Sequence, residues 1–197
     1  MGRFKVGLVA AVLALPLAAT PAAAVAGQEA FAVWVRPEGK KLVAYFAVAE
    51  RYVDPTSGGL VTAAGVAKGT CHVSGGRGFR MVVCGASGRM KEIPFEDFVV
   101  DPALGSATMT VTMAGSTHTT EWTAVDRAPS AGAGVEAGPG GVGAGAGMGR
   151  HVRARGKVFG ASLDARRDLE FAVLSQSAGA GIGVPVRNGH WTFSFRL

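Results

Sequence analysis

Ser106-Ala107-Thr108-Met109-Thr110-Val111-Thr112-Met113-Ala114-Gly115-Ser116-Thr117-His118-Thr119-Thr120-Glu121-Trp122-Thr123 is the stretch that decides the fold class. From Thr108 to Met113 a threonine alternates with an apolar residue, the periodicity of a strand with one buried face. Gly115-Ser116 can form a two-residue turn with glycine at its first central position. The register that follows sets Met109 opposite Trp122, Val111 opposite Thr120 and Met113 opposite His118. Thr108, Thr110 and Thr112 then share the other, hydroxylated face.

The same pattern recurs on both sides. Phe31, Val33 and Val35 alternate with Ala32, Trp34 and Arg36, and Pro37-Glu38-Gly39 supplies a turn before a second apolar strand over 42–49. A loop is expected over 54–59. Cys71 and Cys84 are the only cysteines, and an even pair in an oxidising compartment predicts one disulfide. Placing them directly opposite each other sets Val73 against Val82 and reverses the chain at Gly75-Gly76-Arg77-Gly78. Near the end, Asn188-Gly189 is the preferred pair for a type I′ turn. It predicts a hairpin with Ile182, Val184 and Val186 facing Phe195, Phe193 and Trp191, and Pro185 puts that strand at an edge or a bulge.

Between these hairpins, residues 128–149 include nine glycines among 22 residues and no aromatic side chain. Such a stretch buries too little to offset its chain entropy and is expected to be a disordered Gly/Ala-rich insertion. The 48 residues beyond it are few for an independent core, so residues 27–197 are read as one domain. The fold class expected is all-β, an antiparallel two-layer β-sandwich of Ig-like type, with a closed β-barrel as the alternative.

Phe98-Val99-Val100-Asp101-Pro102-Ala103-Leu104-Gly105-Ser106-Ala107, then Thr117-His118-Thr119-Thr120-Glu121-Trp122-Thr123, resembles uncharacterised secreted β-sandwich proteins of high-GC Gram-positive bacteria. Arg153-Ala154-Arg155-Gly156-Lys157-Val158-Phe159-Gly160 is similar to a later segment of the same proteins. The resemblance covers about half of the mature chain and rests on structural motifs, an aspartate–proline turn and a core tryptophan. It implies an exported β protein and transfers no catalytic residue.

The chain opens as a signal peptide does, with Arg3 and Lys5, then an apolar run over 6–15, then Ala24-Val25-Ala26 before an expected cleavage at Gly27. A secreted or cell-envelope location follows. Charge is uneven: residues 27–126 have a net charge of −1 and residues 127–197 one of +5. Arg153, Arg155 and Lys157 alternate along one predicted strand and form the candidate basic surface, with His151 beside them and Arg166 and Arg167 nearby. An anionic cell-envelope polymer or an extracellular protein is the partner this surface suits. No aromatic residue is interleaved with the cations, which argues against nucleic acid.

Catalytic chemistry has no footprint. His72, His118, His151 and His190 form no His-Glu-x-x-His, and there is no Cys-x-x-Cys, so no metal site and no cofactor are expected. Gly85-Ala86-Ser87-Gly88 lacks the spacing of a nucleophile elbow. Glu92, Glu96, Asp97 and Asp101 surround Pro94 as a solvated acidic turn. The functional expectation is a non-catalytic binding or structural β-domain, with a small extracellular hydrolase or an enzyme inhibitor as the alternative.

Overall fold

The computed structural model describes residues 27–54, 56–76, 79–125, 130–138, 141–177 and 189–196. The signal-peptide segment 1–26 lies outside them, as do Arg77 and Gly78 of the first expected turn.

The chain is all-β. Its strands are β1 (Gln28–Glu38), β2 (Lys41–Val53), β3 (Leu60–Gly76), β4 (Phe79–Glu92), β5 (Phe98–Val100), β6 (Ser106–Met113), β7 (Ser116–Ala124), β8 (Ser130–Gly138), β9 (Gly141–Val158), β10 (Ala161–Asp164), β11 (Leu169–Ser177) and β12 (Gly189–Arg196). A 3-10 turn, Phe95–Asp97, precedes β5. Hydrogen bonding runs in the order β12-β4-β3-β2-β1-β11-β9-β7-β6-β5, with β8 and β10 joined to β9. Among the described residues every pairing is antiparallel and the sheet is not closed, which sets the barrel alternative aside.

Turn chemistry sets the registers. Gly39, at φ 61°, is the first central residue of the β1–β2 turn, and Glu38 pairs with Lys41. Cys71 lies opposite Cys84 and is bonded to it, and Val73 lies opposite Val82, as expected. The β6–β7 turn differs from expectation. Its central residues are Ala114 and Gly115, at φ 49° and 75°, so Met113 pairs with Ser116. Two consecutive positive φ angles give type I′ geometry, with Gly115 at the second central position in place of the first. The register moves by two residues: Met109 meets Thr120, Val111 meets His118 and Ala107 meets Trp122. An even shift leaves every side chain on its expected face, so the threonines remain outward.

Within the segment expected to be a Gly/Ala-rich insertion, Ser130–Gly138 pairs with residues 141–149. Strict alternation accounts for it: glycine meets glycine at Gly132–Gly147 and Gly134–Gly145, and alanine meets alanine at Ala133–Ala146. Backbone pairing needs no bulky side chain. The expected C-terminal hairpin has its first strand, 182–186, outside the described residues, while β12 pairs with β4, setting Phe193 opposite Cys84.

The main core draws on both arms of the sheet. Trp34, Tyr45, Phe98, Leu104, Met109, Trp122, Leu163 and Leu174 belong to one buried cluster. Each tryptophan finds an acceptor across it: Trp34 Nε1 donates to Ala154 O at 3.2 Å, and Trp122 Nε1 donates to Phe31 O at 3.0 Å. Arg51, buried in β2, donates to Gln28 Oε1, to Thr62 Oγ1 and to the carbonyls of Phe95 and Phe98, stapling the 3-10 turn to the sheet. The opposite face of β1–β4 carries a second cluster around Val33, Phe46, Val82 and Cys84. The central strands are therefore apolar on both faces, which is why 42–49 reads as an unbroken apolar run.

Candidate functional site

The outward face of β6, β7, β9 and β10 is the surface on which the expected basic residues lie. Alternation exposes Thr108 and Thr112 on β6, Thr119, Glu121 and Thr123 on β7, Arg153, Arg155 and Lys157 on β9, and Ser162 on β10. Register arranges them in rows. Thr123 lies opposite Arg153, Thr119 opposite Lys157, and Lys157 opposite Ser162. Between these rows runs Thr108, Glu121, Arg155 and Asp164. Glu121 Oε2 accepts from Arg155 at 2.7 and 2.8 Å, with both side chains more than half exposed. Thr112 and Thr117 share a hydroxyl–hydroxyl hydrogen bond of 3.2 Å at the end of the face. The inner side of the same strands is tightly packed. A Cβ at Gly156 would lie 2.8 Å from Thr119 O, so only glycine fits there, beneath the Trp34 ring.

A cleft of about 360 Å³ borders this face where β9 leaves β11 to pair with β10, lined by Val125, Val152, Arg153, Ala165, Asp168, Leu169 and Glu170. Both of its carboxyls accept hydrogen bonds, Asp168 with both oxygens and Glu170 with one. Asp168 takes a bidentate ion pair from Arg36 at 2.6 and 2.7 Å and accepts from Asp164 N at 3.0 Å. Arg36 also donates to Ser162 O, and the ion pair holds its guanidinium above its usual pKa. Glu170 Oε1 accepts from Ala154 N at 2.9 Å, filling the backbone gap left where the strands part. Its Oε2 is buried without a hydrogen-bond partner, and desolvation raises its pKa, opposed by the Ala154 bond and by Arg153. Behind Arg36, the Tyr45 hydroxyl donates to Glu38, which also pairs with Lys68 at 3.0 Å. Desolvation and the Glu38 contact raise the Tyr45 pKa, and the Tyr45 and Lys68 hydrogen bonds lower that of Glu38.

The remaining candidates do not converge. His118 is 1% exposed and points into the core from β7. Its Nδ1 accepts from Phe159 N at 3.1 Å, its ring meets that of Phe159 at 4.8 Å, and burial pushes its pKa down. Glu96 is exposed and Asp97 half-buried on the 3-10 turn, and Glu92 is exposed at the end of β4. Asp101 instead shapes a turn, accepting from Ala103 N and Gly105 N, which holds buried Leu104 at φ 55°. Among the described residues no group of three or more His, Cys, Asp or Glu is placed to hold a metal ion. Arg36, Asp168 and Glu170 went unread in the sequence, because Arg36 and Asp168 are 132 positions apart and only the β1–β11 pairing joins them. Comparison with protein-family models, with curated proteins and with solved structures returns no match.

Proposed function

We propose that this chain is a secreted or envelope-associated, non-catalytic binding domain that holds an anionic polymer on the outward face of β6, β7, β9 and β10. One observation carries the reading: register sets Arg153 and Lys157 in rows with Thr123, Thr119 and Ser162 on an exposed face. Cations there supply long-range attraction and hydroxyls supply short-range hydrogen bonds. The disulfide accords with an oxidising compartment, and the leader-like residues 1–26 accord with export. Within this reading, residues 27–197 are one domain whose two sheet arms act as the layers of a sandwich about the shared core. In the cleft Arg36 occupies both oxygens of Asp168, which withdraws that carboxylate from acid–base work.

The test is elution of the mature protein from immobilised dextran sulfate in a sodium chloride gradient. R153E/K157E should elute at markedly lower salt than wild type, because each lost contact removes a counterion-release contribution. Elution of both proteins at the same salt would remove this face from consideration.

A further inference from the structure

We infer that the polymer this face suits is an acyclic polyol phosphate, laid along β9 with successive phosphates at Arg153, Arg155 and Lys157; the inference rests on the polyanion reading above. Alternate residues of a strand are about 6.7 Å apart, because each residue rises about 3.3 Å. Three backbone bonds of an extended chain reach about 3.5 Å, so six reach about 7 Å. A three-carbon polyol phosphodiester has six bonds per repeat, P–O–C–C–C–O. Its repeat therefore matches the two-residue repeat of a strand, and phosphates stay in step with Arg153, Arg155 and Lys157 over three units.

The face is chemically suited to such a chain along its length. Among the described residues neither Arg153 nor Lys157 has an ion-pair partner, so both charges are available. Thr123 and Thr119 flank them on β7, where a hydroxyl can donate to a phosphate oxygen or accept from a polyol hydroxyl. The middle position is guarded. Glu121 holds Arg155 at 2.7 Å and repels a phosphate arriving there, so the middle contact forms only as that ion pair opens. Alongside Arg153, Arg155 and Lys157 the outward positions of β6, β7, β9 and β10 carry no ring; His151, packed edge-on against Phe171 of β11 with centroids 5.4 Å apart, stands one step before Arg153. Along that stretch a pyranose ring or a nucleobase would find no ring to stack on, whereas an acyclic chain needs none.

The experiment is calorimetric titration of the mature protein with synthetic glycerol phosphate oligomers of two, three and six phosphates, and with oligogalacturonate of matched charge. Affinity should rise from two to three phosphates by about tenfold at low salt and change little per site beyond three. E121Q should bind the three-phosphate oligomer about three- to fivefold more tightly, the effect of removing one like charge near 4 Å in water. T119V/T123V should weaken binding while leaving the far-ultraviolet circular dichroism unchanged. Oligogalacturonate that binds as tightly as the phosphate oligomers, or E121Q that binds no better than wild type, overturns the polyol-phosphate register and leaves the polyanion reading standing. Absence of binding by every oligomer, together with an unchanged elution of R153E/K157E, overturns both.

Discussion

Ala114 holds φ at 49° in the β6–β7 turn, where a Cβ is strained and asparagine or glycine is not. The residue is exposed, so replacement disturbs no packing. A114N should raise stability by about 0.5–1 kcal/mol, read as a higher urea midpoint at unchanged m-value. Phe159 holds a similar angle, φ 47°, but His118 Nδ1 accepts its N–H and the two rings touch. That bond makes the β9–β10 turn sensitive to acid. Burial depresses the His118 pKa in the folded chain, while the unfolded chain binds the proton near the ordinary value of about 6.5. The unfolded state therefore holds more protons between those two values, and stability falls as pH drops through that window. H118N keeps an acceptor near Phe159 N and does not titrate. Its stability difference between pH 7.5 and pH 5 should be smaller than that of wild type in chemical denaturation, and an equal difference would exonerate His118.

The hairpin of β8 and β9 extends past the rest of the sheet, because β11 pairs with β9 only from Gly147 onward. Residues 133–138 and 141–146 pair with one another and with no other strand among the described residues. Replacing residues 133–146 by Asn-Gly would join Gly132 to Gly147 through a type I′ turn. The excised protein should unfold within about 1 kcal/mol of wild type, since loop-closure entropy varies slowly with length. A loss several times larger would mean that the Gly/Ala hairpin is part of the core. The long β9 is the element with the largest consequences. It pairs with β8 and β11 in its first half and with β7 and β10 in its second, and so joins the two arms.

For the whole molecule, the position of β11 decides how the chain can be divided. It lies between β1 and β9, near the middle of the sheet, although it comes late in the sequence. Residues 27–127 alone would lose Val152, Ala154, Val158, Leu163, Ala172 and Leu174 from the main core, together with the acceptor of Trp34 Nε1. That fragment should show no cooperative thermal transition, and a sharp one would establish two folding units. Local chemistry was legible in the sequence by itself. Alternation named β1, β6, β7 and the second half of β9 with their faces, the cysteines named their pairing, and the spacing of Arg153, Arg155 and Lys157 placed three cations on one exposed row. These features depend on a two-residue period or a short reversal, which neighbouring residues specify. The sequence could not settle the strand order, the union of both arms over one core, the second apolar face of β1–β4, or the meeting of Arg36 with Asp168. Those depend on which distant edges pair, and many pairings satisfy the same alternation. The shared core favours the observed one, burying Trp34 and Trp122 between the two arms with each indole N–H donating to a carbonyl on the far side.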